Sequence, residues 1–404
     1  MPRNGERSRL SPVRVLDLEL SAPARLTGLE RYVAAEALVW DHGAPIGRVT
    51  LPVTNGEVPS HVVERALSTC RAPVCGTDVP GDTRPSLTVA VCTRDRPDDL
   101  ARCLQAIERL EPAADEVLVV DNAPANDESE QLVRGRHPRV RYVREPKAGL
   151  DHARNRALAE TTSDIIAFTD DDVLVDPGWA LALTTAFAAD PEVMAVTGLV
   201  TPSELETDAQ VLFERYRSFA RGFAPVRVQL DPAHGPIGWR HGNTGRFGTG
   251  ANMAFRREVF ARVGLFDPAL GAGTAARGGD DLEILFRLLK AGWAIRYEPR
   301  VVVRHRHRRT PDELYSQMSD TGLAFSASLR RSARLYPEER GALLRLWLWW
   351  AGKLMYRTVR PTGHPAGLLR RLALAELTGV VRGFGRHARS ESVALATPGT
   401  LTPA

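Results

Sequence analysis

Three apolar runs in the middle of the chain do most to limit its fold. They are LTVAVCT (Leu87–Thr93), DEVLVVDN (Asp115–Asn122) and DIIAFTDDD (Asp164–Asp172). A strand with one wet face alternates apolar and polar residues; short continuous runs rich in Val, Ile and Leu predict strands covered on both faces. Segments with helical apolar spacing lie between them: DDLARCLQAIERL (Asp98–Leu110) and GLDHARNRALAET (Gly149–Thr161), with a shorter strand, VRYVRE (Val140–Glu145). This alternation predicts an α/β fold with a doubly wound, mostly parallel sheet. Such sheets bind ligands at the carboxyl ends of their strands, where Asp121 and Asp170 to Asp172 fall.

The flanks read differently. In residues 1–84, RVLDLEL (Arg14–Leu20) alternates like a half-buried strand, Asp41-His42-Gly43 marks a turn, and Ser60 opens a short helical stretch. No catalytic constellation occurs there, so a small β-rich accessory module is expected. GTDVPGDTRPS (Gly76–Ser86) has linker composition, and 85–310 is expected to be the catalytic domain. Residues 311–390 form a helical, basic region: from Ser328 to Arg389 thirteen Arg or Lys face three Glu. Residues 391–404 are expected to fray.

The content of 43% hydrophobic and 25% charged residues allows a sizeable core, which argues against a disordered chain. Cys70, Cys75, Cys92 and Cys103 form no CxxC or Cys/His zinc pattern, so free thiols in a reducing cytoplasm are expected. The start, MPRNGERSRLSP, lacks the apolar stretch of a secretory signal, and no run of about 18 apolar residues predicts a membrane span.

Asp170, Asp171 and Asp172 are adjacent like charges. One acidic residue suffices for a helix cap, and Asp176-Pro177 already looks like a helix start. A hard cation, Mg²⁺ or Mn²⁺, held by one or two carboxylates together with a diphosphate accounts for the cluster better.

Four further stretches follow in order: PKAGLDHARNRALAE (Pro146–Glu160), FGTGANMAFRREVFARVGLFDPALGAG (Phe247–Gly273), RGGDDLEILFRLLKAGWAIRYEP (Arg277–Pro299) and RVVVRHRHRR (Arg300–Arg309). With the first strands and the acidic triplet, the set resembles family 2 glycosyltransferases of the GT-A fold, from about Ser86 to Arg309. The resemblance implies transfer of a sugar from a nucleotide diphosphate sugar to an acceptor hydroxyl, with inversion. It places Asp172 on the metal and Asp170 on donor hydroxyls, with Asp171 at the variable middle position. Which carboxylates ligate stays open.

The same resemblance makes Asp281 the general base, with Asp280 beside the acceptor. His305 completes the metal site, and spacing alone does not separate it from His307. Thr93, Arg94, Arg96, Asp121 and Arg154 fall where the family meets the nucleotide and its phosphates. Gly250 and Asn252 fall on the acceptor side. Trp239 and Trp293 are candidates either for sugar stacking or for the core.

A sugar-phosphate nucleotidyltransferase would need a Gly-rich loop with Arg and Lys after the first strand, and CTRDRPDD has no glycine. A nucleic-acid-binding protein would interleave aromatics with its basic residues, and no such folded motif occurs, so no nucleic-acid partner is expected. The expected partners are a nucleotide sugar and a hydroxyl acceptor, polysaccharide or lipid-linked. Tryptophan-rich LLRLWLWWAGKLMY (Leu343–Tyr356) either lies on the inner face of the plasma membrane or packs on the catalytic domain or a second subunit.

Overall fold

A computed structural model of the chain describes residues 10–70, 84–231, 237–238, 242–361, 365–386 and 389. Residues 76–83 of the linker stretch, Cys75, Trp239 and residues 391–404 lie outside the described residues.

The first unit is a three-stranded sheet of β1 (Val13–Glu19), β2 (Ala34–Asp41) and β3 (Ala44–Pro52), followed by helix α1 (Ser60–Leu67). β1 lies parallel to β2, and β2 and β3 form a hairpin. Its turn uses left-handed His42 (φ 48°) and Gly43 (φ 74°). Ala35, Val39 and Leu51 bury against Val63 and Leu67, giving the unit its own apolar cluster. It docks on the rest of the chain through ion pairs between Asp17 and Arg304 (2.6 Å) and between Arg31 and Glu206 (2.8 Å).

The central sheet has nine strands: β4 (Leu87–Thr93), β5 (Glu116–Asn122), β6 (Arg141–Glu145), β7 (Ile165–Asp170), β8 (Val173–Val175), β9 (Val193–Pro202), β10 (Val226–Val228), β11 (Asn252–Arg256) and β12 (Ala294–His305). The order is β10-β12-β9-β11-β7-β4-β5-β6, with β8 beside β12. The half read from the sequence, β6-β5-β4-β7, is wholly parallel. The other half is mixed, because β11 runs antiparallel to both β7 and β9, while β12 is parallel to β9. A strand buried on both faces reads as the same apolar run in either direction, so its sense was not legible.

Helices α2 (Pro97–Ile107), α3 (Glu128–Arg136) and α5 (Trp179–Ala188) cover one face, through Leu104, Val133, Trp179 and Phe187. The other face is covered by α4 (Leu150–Glu160) and α7 (Asp280–Lys290), with α6 (Asp208–Tyr216) preceding α7 in the chain. The C-terminal helices α8 (Pro311–Leu335), α9 (Arg340–Val359) and α10 (Ala366–Gly383) continue that layer. Phe325, Leu329, Leu343 and Leu346 pack into the same cluster as α4 and α7. Trp347 donates to the Ser326 hydroxyl (3.0 Å), and the rings of Trp350 and Phe325 lie 5.2 Å apart. One side of α9 therefore packs back on the cluster that covers the central sheet, while Leu344, Leu348, Trp349 and Met355 remain exposed.

α8 and α10 approach closely because glycines face the crossing. A Cβ on Gly379 would sit 1.9 Å from the Ser319 carbonyl oxygen, and one on Gly322 would sit 2.1 Å from that of Glu376. Gly379→Ala should therefore lower the unfolding free energy by roughly 1–3 kcal/mol, the usual range for overpacking. Gly352 in α9 meets nothing within 4 Å. Gly352→Ala should be neutral or add up to about 1 kcal/mol, and the urea midpoints of the two variants check the contrast.

Candidate functional site

The parallel strands end in register, with Thr93 opposite Asp121 and Cys92 opposite Asp170. The chain turns after Asp170, so the three carboxylates of the triplet do not share one surroundings. Asp171, 5% exposed, accepts from the Thr93 hydroxyl (2.8 Å) and from Arg96 (3.2 Å). Asp170 and Asp172 converge instead on His305, at the end of β12, with one ligand atom from each within 4.8 Å of the others. His305 Nε2 lies 3.3 Å from Asp172 Oδ1, while Arg96 (3.5 Å) and Arg308 (4.0 Å) approach Asp172 Oδ2.

Burial and the neighbouring Asp172 charge push Asp170 up to about 7 and Asp171 up to about 6. Burial also disfavours ionised Asp172, but His305, Arg308, Arg96 and Arg306 more than offset it and hold its pKa below the ordinary value. Burial drives His305 down to about 4, which leaves a neutral imidazole at neutral pH. Two carboxylates and a neutral imidazole form a donor set suited to Mn²⁺ and less so to Mg²⁺. The mutual destabilisation of the carboxylates is what a bound dication relieves.

A second set of groups opens α7. Gly279 is left-handed (φ 93°), and a Cβ there would meet the Ala324 carbonyl oxygen of α8 at 2.5 Å. Only glycine makes this turn, and it places Asp280 and Asp281 in the first helical turn. Asp281 Oδ2 accepts from the Gly250 backbone N–H (2.9 Å) and Oδ1 from that of Leu282 (2.8 Å). Asp280 faces inward and pairs with buried Arg154, which also lies 3.5 Å from Asp151. Gly250 is needed against that pair, since a Cβ would come within 2.9 Å of Arg154 Nη2. A cavity of about 620 Å³ is lined by Asp170, His305, Arg154, Gly250, Asp280 and Asp281. The structure thus brings Asp170 of the triplet and the acidic pair, more than a hundred residues apart in sequence, to one space.

Asp121 is buried; its Oδ2 accepts from Tyr142 (2.7 Å), and its Oδ1 has no hydrogen-bond partner in the described structure. Burial raises its pKa. Arg94 is half exposed and lies 3.6 Å from Asp95. The structure corrects the placing of Asn252 beside an acceptor. Asn252 is 0% exposed; its amide donates to Leu199 (3.1 Å) and Val301 (2.8 Å) and accepts from Trp179 (3.0 Å). Asn252 opens β11 opposite Thr169, and its bonds to Leu199, Val301 and Trp179 hold the side chain inside, where it ties the sheet to α5. Trp293 packs against the core cluster of α4 and α7. Tyr142, Arg308 and Glu214, which contacts His307, were not singled out from the sequence. Their partners lie 21 to 136 residues away (142−121 for Tyr142 and 308−172 for Arg308), so no local spacing announces them.

Residues 88–264 match the family model described as Glycosyl transferase family 2. The pre-mycofactocin glycosyltransferase of Mycobacterium tuberculosis is 28% identical over 301 residues, 74% of this chain and 57% of that protein. The chain therefore spans little more than half the length of that relative. Succinoglycan biosynthesis protein ExoM of Rhizobium meliloti is 28% identical over 274 residues, covering 65% of this chain and 78% of its own. Among solved structures, the mannosyltransferase PcManGT from Pyrobaculum calidifontis in complex with GDP-Man and Mn²⁺ is 22% identical. That match covers 81% of this chain and 80% of the other, with a TM-score of 0.46. The segment that bears the acidic triplet is thus the part of the chain that matches the Glycosyl transferase family 2 model.

Proposed function

We propose that the chain is an inverting, metal-dependent glycosyltransferase that moves a sugar from a nucleotide diphosphate sugar to an acceptor hydroxyl. The observation that carries this reading is that Asp170 and His305, from the metal-type cluster, line the same cavity as Asp281. Asp170, Asp172 and His305 would hold the cation. A divalent ion there supplies positive charge against the charge that develops on a leaving nucleoside diphosphate.

The chain's own residues do the rest. Arg308 and Arg96, beside Asp172, add positive charge at the phosphates. The free Oδ1 of Asp121 is a hydrogen-bond acceptor for the nucleoside, at the end of the strand next to Thr93. Asp281 takes the proton of the acceptor hydroxyl as that oxygen bonds the anomeric carbon and the bond to the diphosphate breaks. Its two backbone donors fix the carboxylate and leave further lone pairs for the hydroxyl. The Arg154–Asp280 pair braces the base from behind.

A polysaccharide, glycolipid or other glycoconjugate acceptor fits the relatives concerned with succinoglycan and O-antigen chains. The reading includes a cytoplasmic enzyme, with the 1–84 module as an accessory and the exposed side of α9 resting on the inner membrane surface. Among the described residues no helix is long and apolar enough to cross a membrane. Trp349, Leu344, Leu348 and Met355 are exposed on α9, and Arg345, Lys353 and Arg360 lie exposed on or beside it. That pairing of apolar and basic groups suits an anionic headgroup layer.

A panel of nucleotide sugars should show one that is turned over with Mn²⁺ and not with EDTA; no metal-dependent turnover of any donor would overturn the reading. In Mn²⁺ titrations, Asp170→Ala and Asp172→Ala should each lose more than the ~10–100-fold typical of outer-shell partners. Asp171→Asn should stay near wild type, because Asp171 faces Thr93 and Arg96.

Asp281→Asn should bind nucleoside diphosphate and Mn²⁺ normally but transfer ~10²–10⁴-fold more slowly. Single-turnover assays check this, and a rate within about tenfold of wild type would point to another base.

The full chain should float with anionic vesicles, less so at high salt, and a chain ending near Ser328 should not. If both stay in the soluble fraction, α9 is a packing element alone.

A further inference from the structure

Behind the Asp170–Asp172–His305 cluster, a line of hydrogen bonds runs out of the central sheet and ends in the N-terminal sheet. His305 Nδ1 lies 3.2 Å from His307 Nδ1, and His307 Nε2 lies 2.7 Å from Glu214 Oε1 on α6. Arg48 of β3 donates to Glu214 Oε2 and forms an ion pair through Nε with Glu36 Oε1 of β2 (2.8 Å). The Thr50 hydroxyl closes the line on Glu36 Oε2 (2.6 Å). The inner part of the line is dry: the side chain of His307 is 0% exposed and that of Glu214 is 8% exposed. Phe213 packs on the His307 ring (centroids 4.4 Å apart) and Phe219 on the His305 ring (5.5 Å).

Hydrogen-bond accounting assigns the ring nitrogens. An ionised carboxylate only accepts, so His307 donates Nε2–H to Glu214. Of the two Nδ1 atoms 3.2 Å apart one donates and the other accepts, and a cation on His305 Nε2 requires His305 to be the donor. His305 then presents a lone pair at Nε2, 3.3 Å from Asp172 Oδ1. Two lone-pair atoms facing at that separation repel, and a cation bound to both removes the repulsion. The opposite arrangement would put a proton on His305 Nε2 and make it a donor to Asp172 instead of a metal ligand. Arg48 favours the first arrangement by sharing the Glu214 charge.

We propose that His307, Glu214 and Arg48 are positioning residues of the metal site, and that the N-terminal sheet supports cation binding by holding His305 in its ligating orientation and tautomer. The inference rests on the reading of Asp170, Asp172 and His305 as cation ligands. It gives the N-terminal unit a role in the site, although none of its residues lines the catalytic cavity.

The test is a titration of the full-length chain with Mn²⁺ alone, read by the loss of the free-ion electron paramagnetic resonance signal, alongside the unfolding midpoint of the metal-free chain. Glu214→Ala should weaken Mn²⁺ binding about 10–100-fold, as loss of a partner to a ligating histidine does. Glu214→Gln keeps an acceptor oxygen for His307 and should recover most of that loss. In a His305→Ala background, Glu214→Ala should add little, since its effect passes through His305. Arg48→Met, on the far side of Glu214, should weaken binding in the same direction and guards against a Glu214→Ala chain that does not fold.

The proposal is overturned if Glu214→Ala and Arg48→Met bind Mn²⁺ like wild type while Asp172→Ala does not bind. It is equally overturned if Glu214→Ala weakens binding by the same factor with and without His305, which would mark a purely structural effect. Failure of wild type itself to bind Mn²⁺ would sink the metal reading instead.

Discussion

Like charges crowded at Asp170, Asp171 and Asp172 each need an answer at the end of β7, where water is scarce, and the structure gives each one separately. Asp171 is answered within the fold, by Thr93 and Arg96. Asp172 is held below its ordinary pKa, against its burial, by His305 and by arginines that arrive from two other segments. Asp170 is left with a pKa near 7 and no cation of its own beyond the shared field. Buried carboxylates cost stability unless paired, so an end of a sheet built this way stores a demand for positive charge. In the proposed reading a dication bound with a diphosphate would meet it, with the neutral His305 completing the donor set.

The two flanking regions meet the site from opposite sides. The C-terminal helix α8 lies so close to Gly279 that α7 can begin only where it does, which fixes Asp281 against the Gly250 backbone. The N-terminal sheet reaches the other end through Arg48 and Glu214. Among the described residues the N-terminal sheet lines no part of the cavity, whereas α8 adds Glu313, Ser316, Gln317, Asp320 and Thr321 to its wall. Both flanks also contribute rigidity, which catalytic groups need when they must be held within fractions of an ångström.

The sequence revealed the parts of this arrangement whose signal is local. The runs at Leu87–Thr93, Glu116–Asn122 and Ile165–Asp170 read as strands because they are continuous and apolar, and the structure has strands there. Adjacent aspartates at a strand end and at a helix start were visible for the same reason. What was not legible depends on pairing across the chain. The antiparallel sense of β11 left no trace in NMAFR, and the burial of Asn252 depends on Trp179, Leu199 and Val301, which lie 49 to 73 residues away. Arg154 and Asp280 were read as separate ligand contacts, whereas the fold pairs them. The two histidines of RHRHRR were indistinguishable by spacing. They differ in the structure because one faces Asp172 and the other faces Glu214.

The central claim is that Asp170, Asp172 and His305 form a divalent cation site. Anomalous scattering from a crystal of the full chain grown with Mn²⁺ and a nucleoside diphosphate tests it directly. The account predicts a strong manganese peak bonded to a carboxylate oxygen of Asp170, one of Asp172 and Nε2 of His305, with the diphosphate on the same ion and Asp171 still on Thr93. A nucleotide bound in the cavity with no manganese peak at those three side chains, or with the metal on His307 instead, would contradict it.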